Sequence, residues 1–272
     1  MSEHTLAFIG GGNMARSLIG GLVARGVAPE SLRVAEPVAA LREALSKDFG
    51  VRARESAPEA AEGAGTWVLA VKPQVMRAVC ESLAPLAQAS RPLVVSIAAG
   101  ITTGQIEAWL GGGQAVVRTM PNTPALLGAG ATGLYANAHV DAGQRERADS
   151  LMRAAGLTAW IPDEALMDAV TAVSGSGPAY VFLLAEAMQA ASEAQGLAPD
   201  TARTLVLQTI LGAARMLSES GEPAATLRQR VTSPGGTTQA AIESFEANGL
   251  RRIVDEAITA ATRRGRELAQ GG

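Results

Sequence analysis

The strongest constraint in this chain is an apolar run that breaks at once into glycines. Thr5 to Ile9 (TLAFI) reads as a short buried strand, followed directly by Gly10, Gly11, Gly12, Asn13, Met14 and Ala15. Gly10, Gly12 and Ala15 satisfy the G-x-G-x-x-G/A spacing. In that pattern the first glycine makes a tight turn, the second lets a pyrophosphate approach the backbone, and the small third residue keeps helix and strand close. A helix then runs through Leu18, Ile19, Leu22 and Val23, with Gly26 placed to end it. Glycine-rich turns are common, but this one opens a helix after an N-terminal strand, which is the context a dinucleotide site requires.

The following segments keep alternating. Leu32 to Ala35, Val51 to Ala53, Trp67 to Val71, Leu93 to Ile97 and Ala115 to Thr119 read as strands, with a surface helix at Ala39 to Phe49. Ala131 to Ala136 and Leu157 to Ile161 are the last strands, with a helix from Gln144 to Ala155 between them. Such alternation predicts a parallel, doubly wound sheet flanked by helices, with ligands over the carboxyl ends of the strands. Val71, Lys72 and Pro73 should therefore line the crevice, as should Ala98, Ala99 and Gly100, whose small side chains allow close approach. Lys72 either steers a phosphate or lies along the surface. Glu36 closes the second strand, where an acid binds ribose hydroxyls and repels a 2′-phosphate, favouring NADH; alternatively it is the solvated residue before Pro37. The loop Met120-Pro121-Asn122-Thr123-Pro124 either presents Asn122 and Thr123 to a ligand or only turns the chain.

After Pro162 the pattern becomes helical. Glu164 to Val173 reads as one helix, interrupted by Ser174-Gly175-Ser176-Gly177-Pro178 before Ala179 to Ala194 resumes. This last helix and Thr201 to Leu217 are apolar over more than one face, so each needs burial on several sides. A helical region of roughly 110 residues struggles to enclose two such helices alone. An interlocked homodimer solves the problem, with a domain boundary near Pro162 to Glu164: residues 1–162, then 163–272.

Several function classes are disfavoured. The 26 acidic residues against 23 basic ones form no basic stripe, arguing against nucleic acid. No apolar run approaches the ~18 residues of a membrane span, and the start lacks the basic n-region of a signal peptide. A single cysteine, Cys80, permits no intrachain disulfide and suits a reducing cytoplasm. With His4 and His139 the only histidines, there is no metal-ligand cluster, and neither is placed to activate Ser174 or Ser176. A nucleotide-binding chain so poor in acid–base groups suits hydride transfer to an already activated acceptor, which needs mainly positioning.

Val231 to Gly249 (VTSPGGTTQAAIESFEANG) offers such a position. Thr232, Ser233, Thr237 and Thr238 surround Pro234, Gly235 and Gly236, just before a helical pattern. The free N–H groups of a helix start, its dipole and these hydroxyls suit a small carboxylate. The plainer alternative is a capped helix with Ser233 or Thr237 as N-cap.

Five stretches together resemble the pyrroline-5-carboxylate reductase family: IGGGNMA (Ile9 to Ala15), AVKPQ (Ala70 to Gln74), RTMPNTP (Arg118 to Pro124), AVSGSGPAYVF (Ala172 to Phe182) and VTSPGGTTQAA (Val231 to Ala241). The likeness spans Leu6 to about Leu268, and the SGSGPAY and SPGGTT stretches are its specific part. The resemblance implies reduction of a cyclic imine to L-proline with hydride from a nicotinamide. It implies an N-terminal Rossmann-type sheet domain, an all-α C-terminal dimerisation domain, and assembly often as pentamers of dimers, that is, a decamer. It implies that Ser233, Gly236, Thr237 and Thr238 hold the substrate carboxylate, with Thr238 also near the ring nitrogen as the catalytic group. The adjoining substrate-side turn would be Ser174, Gly175 and Ser176 with Gly177 and Pro178, and the second subunit would complete each site. Gly10 to Met14, Val71 to Pro73 and Ala98 to Gly100 would hold the cofactor.

The chain departs from the family after the second strand. Where members often carry small hydroxyl residues and commonly prefer NADPH, this chain has Ala35-Glu36-Pro37, with no Arg before Arg42; Ala57 stands near where many place an Asn. NADPH is thus the family expectation, and NADH the one that Glu36 supports. The nearest competitors are a related imine reductase or a β-hydroxyacid-type dehydrogenase. The latter generally needs a catalytic Lys in the helical domain, and no Lys occurs between Glu164 and Gly249. A non-catalytic nucleotide sensor would show decay of the SPGGTT stretch, which is intact.

Overall fold

The computed structural model describes residues 5–270, so His4 lies outside the described residues. Contacts divide the chain into two compact units, one of residues up to Ser176 together with those from Ala261 onward, the other Gly177–Ala260.

The first unit is built on β1 (Leu6–Ile9), α1 (Asn13–Ala24), β2 (Leu32–Ala35), α2 (Ala39–Phe49), β3 (Arg52–Arg54), α3 (Ala57–Ala61) and β4 (Thr66–Leu69). It continues with α4 (Pro73–Ser90), β5 (Leu93–Ser96), α5 (Thr103–Trp109), β6 (Val116–Met120), β7 (Gly130–Ala136), α6 (Ala142–Arg153) and β8 (Gly156–Trp160). The strands form one eight-stranded sheet in the order β3-β2-β1-β4-β5-β6-β7-β8. The chain steps outward from β1 to β2 and β3, then returns to place β4 on the other side of β1. That reversal is the switch point at which doubly wound sheets bind ligands.

Strand residues alternate between two cores. Phe8, Val34, Val68, Val95 and Val117 face one helix layer with Leu18, Ile19 and Leu45. Ala7, Ile9, Trp67, Leu69, Val94 and Val116 face the other with Met76, Cys80, Leu83 and Ile106. Burial on both faces is why these strands read as continuous apolar runs.

The all-parallel expectation fails at one junction: β7 pairs antiparallel with β6, and β8 then runs parallel to β7. A parallel return needs a crossover of a dozen or more residues. The link from Met120 to Gly130 holds only a short 3-10 turn, Thr123–Leu127, so the chain must double back. The crossover helix α6 restores parallel pairing for β8. The fourth strand stops at Leu69, two residues short of the expected Val71, because Lys72 already caps α4 and Pro73 occupies its first turn.

The expected single helix at Glu164 to Val173 is also different. A 3-10 turn (Glu164–Leu166), α7 (Met167–Val170) and a π-helical turn (Thr171–Gly175) follow one another. Ser174 to Pro178 therefore does not interrupt the helical path; it passes through the π turn into α8 (Gly177–Ala194). The Ser176 N–H donates to Thr171 O at 2.8 Å, and the Thr171 hydroxyl donates to Met167 O at 2.9 Å. A hydroxyl bonding back within the helix competes with the regular ladder.

The second unit contains α8, α9 (Pro199–Glu219), α10 (Ala224–Arg230), α11 (Thr237–Ala247) and the first half of α12 (Leu250–Gln270). Its enclosed apolar residues are few and mostly small: Ala185, Ala202, Val206 and Leu227. Phe182 is 66% exposed and Leu183 65%, while Leu205, Leu211, Met216 and Leu217 are all at least half exposed. Contiguous apolar exposure on this scale marks an association surface.

Candidate active site

The glycine turn after β1 shows why its glycines are needed. Gly10 has φ +107, and a Cβ there would lie 2.6 Å from Ala70 O at the end of β4. A Cβ on Gly11 would strike Leu45. On Gly12 it would meet nothing within 4 Å. The space above Gly12 is therefore the open one, and Gly12 is the N-cap of α1 with no side chain satisfying the helix's first N–H groups, those of Asn13 and Met14 among them. An uncapped helix start beside an open glycine fits a pyrophosphate. Ala15, 1% exposed, keeps α1 tight on the sheet.

Glu36 is 7% exposed and not merely solvated. Its carboxylate accepts the Gly11 N–H at 3.1 Å and the Val38 N–H at 2.9 Å. It braces the turn from the position where a ribose would lie. Arg42 folds back rather than outward, its guanidinium donating to Glu36 O (2.8 Å) and Pro37 O (2.7 Å).

The sheet order sets β1, β4 and β5 side by side, so Gly10 to Met14, Val71 to Pro73 and Ala98 to Gly100 all sit at its carboxyl edge. Lys72 is exposed at the N-cap of α4 and, among the described residues, makes no ion pair. Gly100 takes φ +76, and beside it a cavity of about 700 Å³ runs between Pro73, Gln74, Ala99, Trp109 and Asp168. Asp168, in its lining, takes part in ionic contacts absent from the sequence-based expectations. Arg118, its side chain 5% exposed, reaches Glu164 at 3.3 Å and Asp168 at 3.7 Å. Glu164 also accepts from the Thr103 N–H (2.7 Å) and hydroxyl (2.8 Å). An Arg inside a strand otherwise made of Val, Thr and Met was the available signal.

The loop after β6 meets the π turn. Asn122 donates to Ser174 O at 3.1 Å and accepts the Ala131 N–H at 2.9 Å. Asn122 and Ser174 are thus brought together, while Thr123 begins the 3-10 turn. His139 lies elsewhere, exposed, with its Nε2 3.0 Å from Glu107, and no described histidine approaches Ser174 or Ser176. Among the described residues no group of three His, Cys, Asp or Glu side chains could hold a metal.

In the second unit, α11 starts without a side-chain cap. Its N-cap is Gly236, so neither Ser233 nor Thr237 takes the capping role. The hydroxyls of Ser233, Thr237 and Thr238 bond to no other described residue. Instead the Gly235 N–H donates to Gln239 Oε1 at 2.7 Å, and Gly235 adopts φ +70. Gln239 stands three residues after the N-cap, where capping boxes place Glu or Gln, a signal legible in the sequence. The side chain braces the turn and leaves the first N–H groups of the helix, those of Thr237 and Thr238, without a side-chain acceptor. That arrangement can cradle a carboxylate.

Residues 164–268 match the family model for pyrroline-5-carboxylate reductase dimerisation, and residues 5–100 match that for NADP oxidoreductase, coenzyme F420-dependent. The chain is 54% identical to pyrroline-5-carboxylate reductase of Pseudomonas aeruginosa over 99% of its own length and 98% of the relative's. The solved structure of a pyrroline-5-carboxylate reductase from Coxiella burnetii superposes with TM-score 0.95 at 45% identity, covering 98% of this chain and 99% of that one. The Plasmodium falciparum pyrroline carboxylate reductase, solved with NADP bound, gives TM-score 0.85 at 30% identity, with 99% of each chain covered. The chain belongs to the pyrroline-5-carboxylate reductase family.

Proposed function

We propose that this chain reduces 1-pyrroline-5-carboxylate to L-proline with NAD(P)H, the last step of proline biosynthesis. The observation that carries the reading is the uncapped start of α11, where three hydroxyls without a partner among the described residues stand beside N–H groups that no side chain satisfies, in a turn braced by Gln239.

The bound cofactor would supply a hydride; the chain's work is placement. Gly10, Gly11, Gly12, Asn13 and Met14 would hold the pyrophosphate, Glu36 the ribose, and Val71 to Pro73 with Ala98 to Gly100 the remaining crevice. Ser233, Gly236, Thr237 and Thr238 hold the substrate carboxylate, and Ser174, Gly175 and Ser176 form the turn beside it. A protonated C=N is already electrophilic, so no side-chain acid is required. The Thr238 hydroxyl, hydrogen-bonded at the ring nitrogen, stabilises the amine as it forms.

On this reading residues 1–162 form the dinucleotide-binding domain and 163–272 the helical substrate-binding and dimerisation domain. The exposed apolar surfaces of α8 and α9 interlock with a second copy, which completes each site, and dimers assemble further into a decamer. No helix among the described residues is long and apolar enough to cross a membrane, and the proposed place of work is the cytoplasm. NADPH is the cofactor the family favours, and NADH the one Glu36 favours. Incubating purified protein with 1-pyrroline-5-carboxylate and each reduced cofactor tests the proposal. Proline formation matched to cofactor oxidation supports it; folded protein that forms no proline with either reduced cofactor would overturn it. Molar mass in solution reads the assembly.

A further inference from the structure

We infer that Asn122 is a positioning residue for the reduction, a strut that fixes the π turn at Ser174 through a closed ring of hydrogen bonds. The inference rests on the reading of Ser174 to Ser176 as the substrate-side turn. Asn122 Oδ1 accepts the Ala131 N–H at 2.9 Å, and Asn122 Nδ2 donates to Ser174 O at 3.1 Å and towards Ser174 Oγ at 3.4 Å. Ser174 Oγ in turn donates to Ala131 O at 3.2 Å. The partners fix the orientation of the amide, since a backbone N–H can only donate and a carbonyl can only accept.

The ring joins the loop after β6 and the nearby start of β7 to the π turn, 52 positions from Asn122. It also accounts for the π turn being where it is. The helix widens by one residue between Thr171 and Ser176, which brings the Ser174 carbonyl and hydroxyl to Asn122. Isolated π turns cluster at functional sites for this kind of reason. The turn is closely packed at Gly175, where a Cβ would lie 2.6 Å from Met120 Cε. The Ser174 hydroxyl proton is committed to Ala131 O. Ser174 therefore belongs to the support of the site, and Asn122 acts on the substrate only through it.

The amide is the one side chain of its size that both donates and accepts in a plane. Asn122→Asp keeps the shape but turns the contact with the Ser174 carbonyl into repulsion between oxygens. Misplacing a positioning element by ~1 Å costs on the order of 10²-fold in rate. Asn122→Asp is expected to lower kcat between tenfold and a hundredfold, on the order of that cost, with the KM for NAD(P)H essentially unchanged and the native fold retained by circular dichroism. Ser174→Ala, which keeps the Asn122 bond to the Ser174 carbonyl, is expected to lose much less and serves if Asn122→Asp fails to fold. A kcat near wild type in folded Asn122→Asp overturns the inference. So does a loss of kcat matched by equal losses in cofactor KM and melting temperature, which is what a merely structural residue gives. Amide exchange separates the strut from the functional reading: in folded Asn122→Asp the Thr171–Ser176 amides should exchange faster, and unchanged exchange overturns the strut. Absence of proline formation by the wild-type protein would remove the functional reading alone.

Discussion

The Glu36 carboxylate accepts the Gly11 N–H at 3.1 Å, so the acid that braces the glycine turn is the one proposed to meet the ribose. The two roles separate by substitution. Glu36→Gln keeps an acceptor and removes the charge that would repel a 2′-phosphate. Its ratio of kcat/KM for NADPH over NADH should rise about tenfold, or roughly 1.4 kcal/mol. Glu36→Ala should in addition raise KM for both cofactors, because the Gly11 N–H loses its partner. Steady-state rates with each cofactor decide the matter: an unchanged ratio in both variants leaves Glu36 as a brace only.

Adjacent glycines of the same turn should fail in different ways. Gly10→Ala forces a Cβ within 2.6 Å of Ala70 O at a φ of +107, so the loss should appear in thermal stability. Gly12→Ala meets no protein atom within 4 Å, so the folded protein should melt almost as wild type. Its methyl occupies the face a pyrophosphate approaches, and cofactor KM should rise on the order of tenfold or more, at ~1.4 kcal/mol per factor of ten. Equal cofactor KM in Gly12→Ala and wild type would place the phosphates elsewhere.

Much of this molecule is legible from local rules, and the failures have local causes too. Strands with both faces buried announce themselves as Leu32 to Ala35 does, and the observed β2 has those same bounds. The reversal at β7 was hidden because strand direction is not written in apolar runs; it follows from the shortness of the link after Met120. The π turn was hidden because its cause is distant in sequence: Asn122 and Ser174 are 52 positions apart. The Arg118 contacts with Glu164 and Asp168 are equally non-local. Gln239 is the opposite case, a local signal three residues inside α11 that the glycines beside it overshadowed.

Cys80 supplies a pH test. Burial first, and the neighbouring Glu81 second, push its thiol from an ordinary 9.0 up to about 12. In the folded protein the thiol stays protonated where the unfolded chain has already lost its proton. The unfolded state therefore binds fewer protons between those values, and this residue's contribution to stability, complete below pH 9, falls as pH rises through the window. Thiol reagents at pH 8 should label Cys80 only after unfolding, and Cys80→Ala should flatten the alkaline decline in melting temperature. Rapid labelling of native protein would contradict the burial.

Thr238 is the sharpest test of the cradle. It occupies the second position of α11, where its N–H is one of the groups a helix cannot satisfy, and its hydroxyl bonds to no other described residue. Little of the fold therefore depends on the hydroxyl, and Thr238→Val should retain wild-type stability while losing the donor at nearly constant shape. If that hydroxyl bonds the ring nitrogen as the imine becomes an amine, its removal costs about 1–3 kcal/mol of transition-state binding, or roughly 5- to 150-fold in kcat/KM. Thr238→Ala should lose a similar amount and Thr238→Ser should lose little, since it keeps the hydroxyl. The loss should fall on kcat/KM for the imine and leave KM for the cofactor alone. A Thr238→Val enzyme with wild-type kcat/KM would leave the carboxylate cradle to the N–H groups and to Ser233 and Thr237, with no side chain acting at the nitrogen.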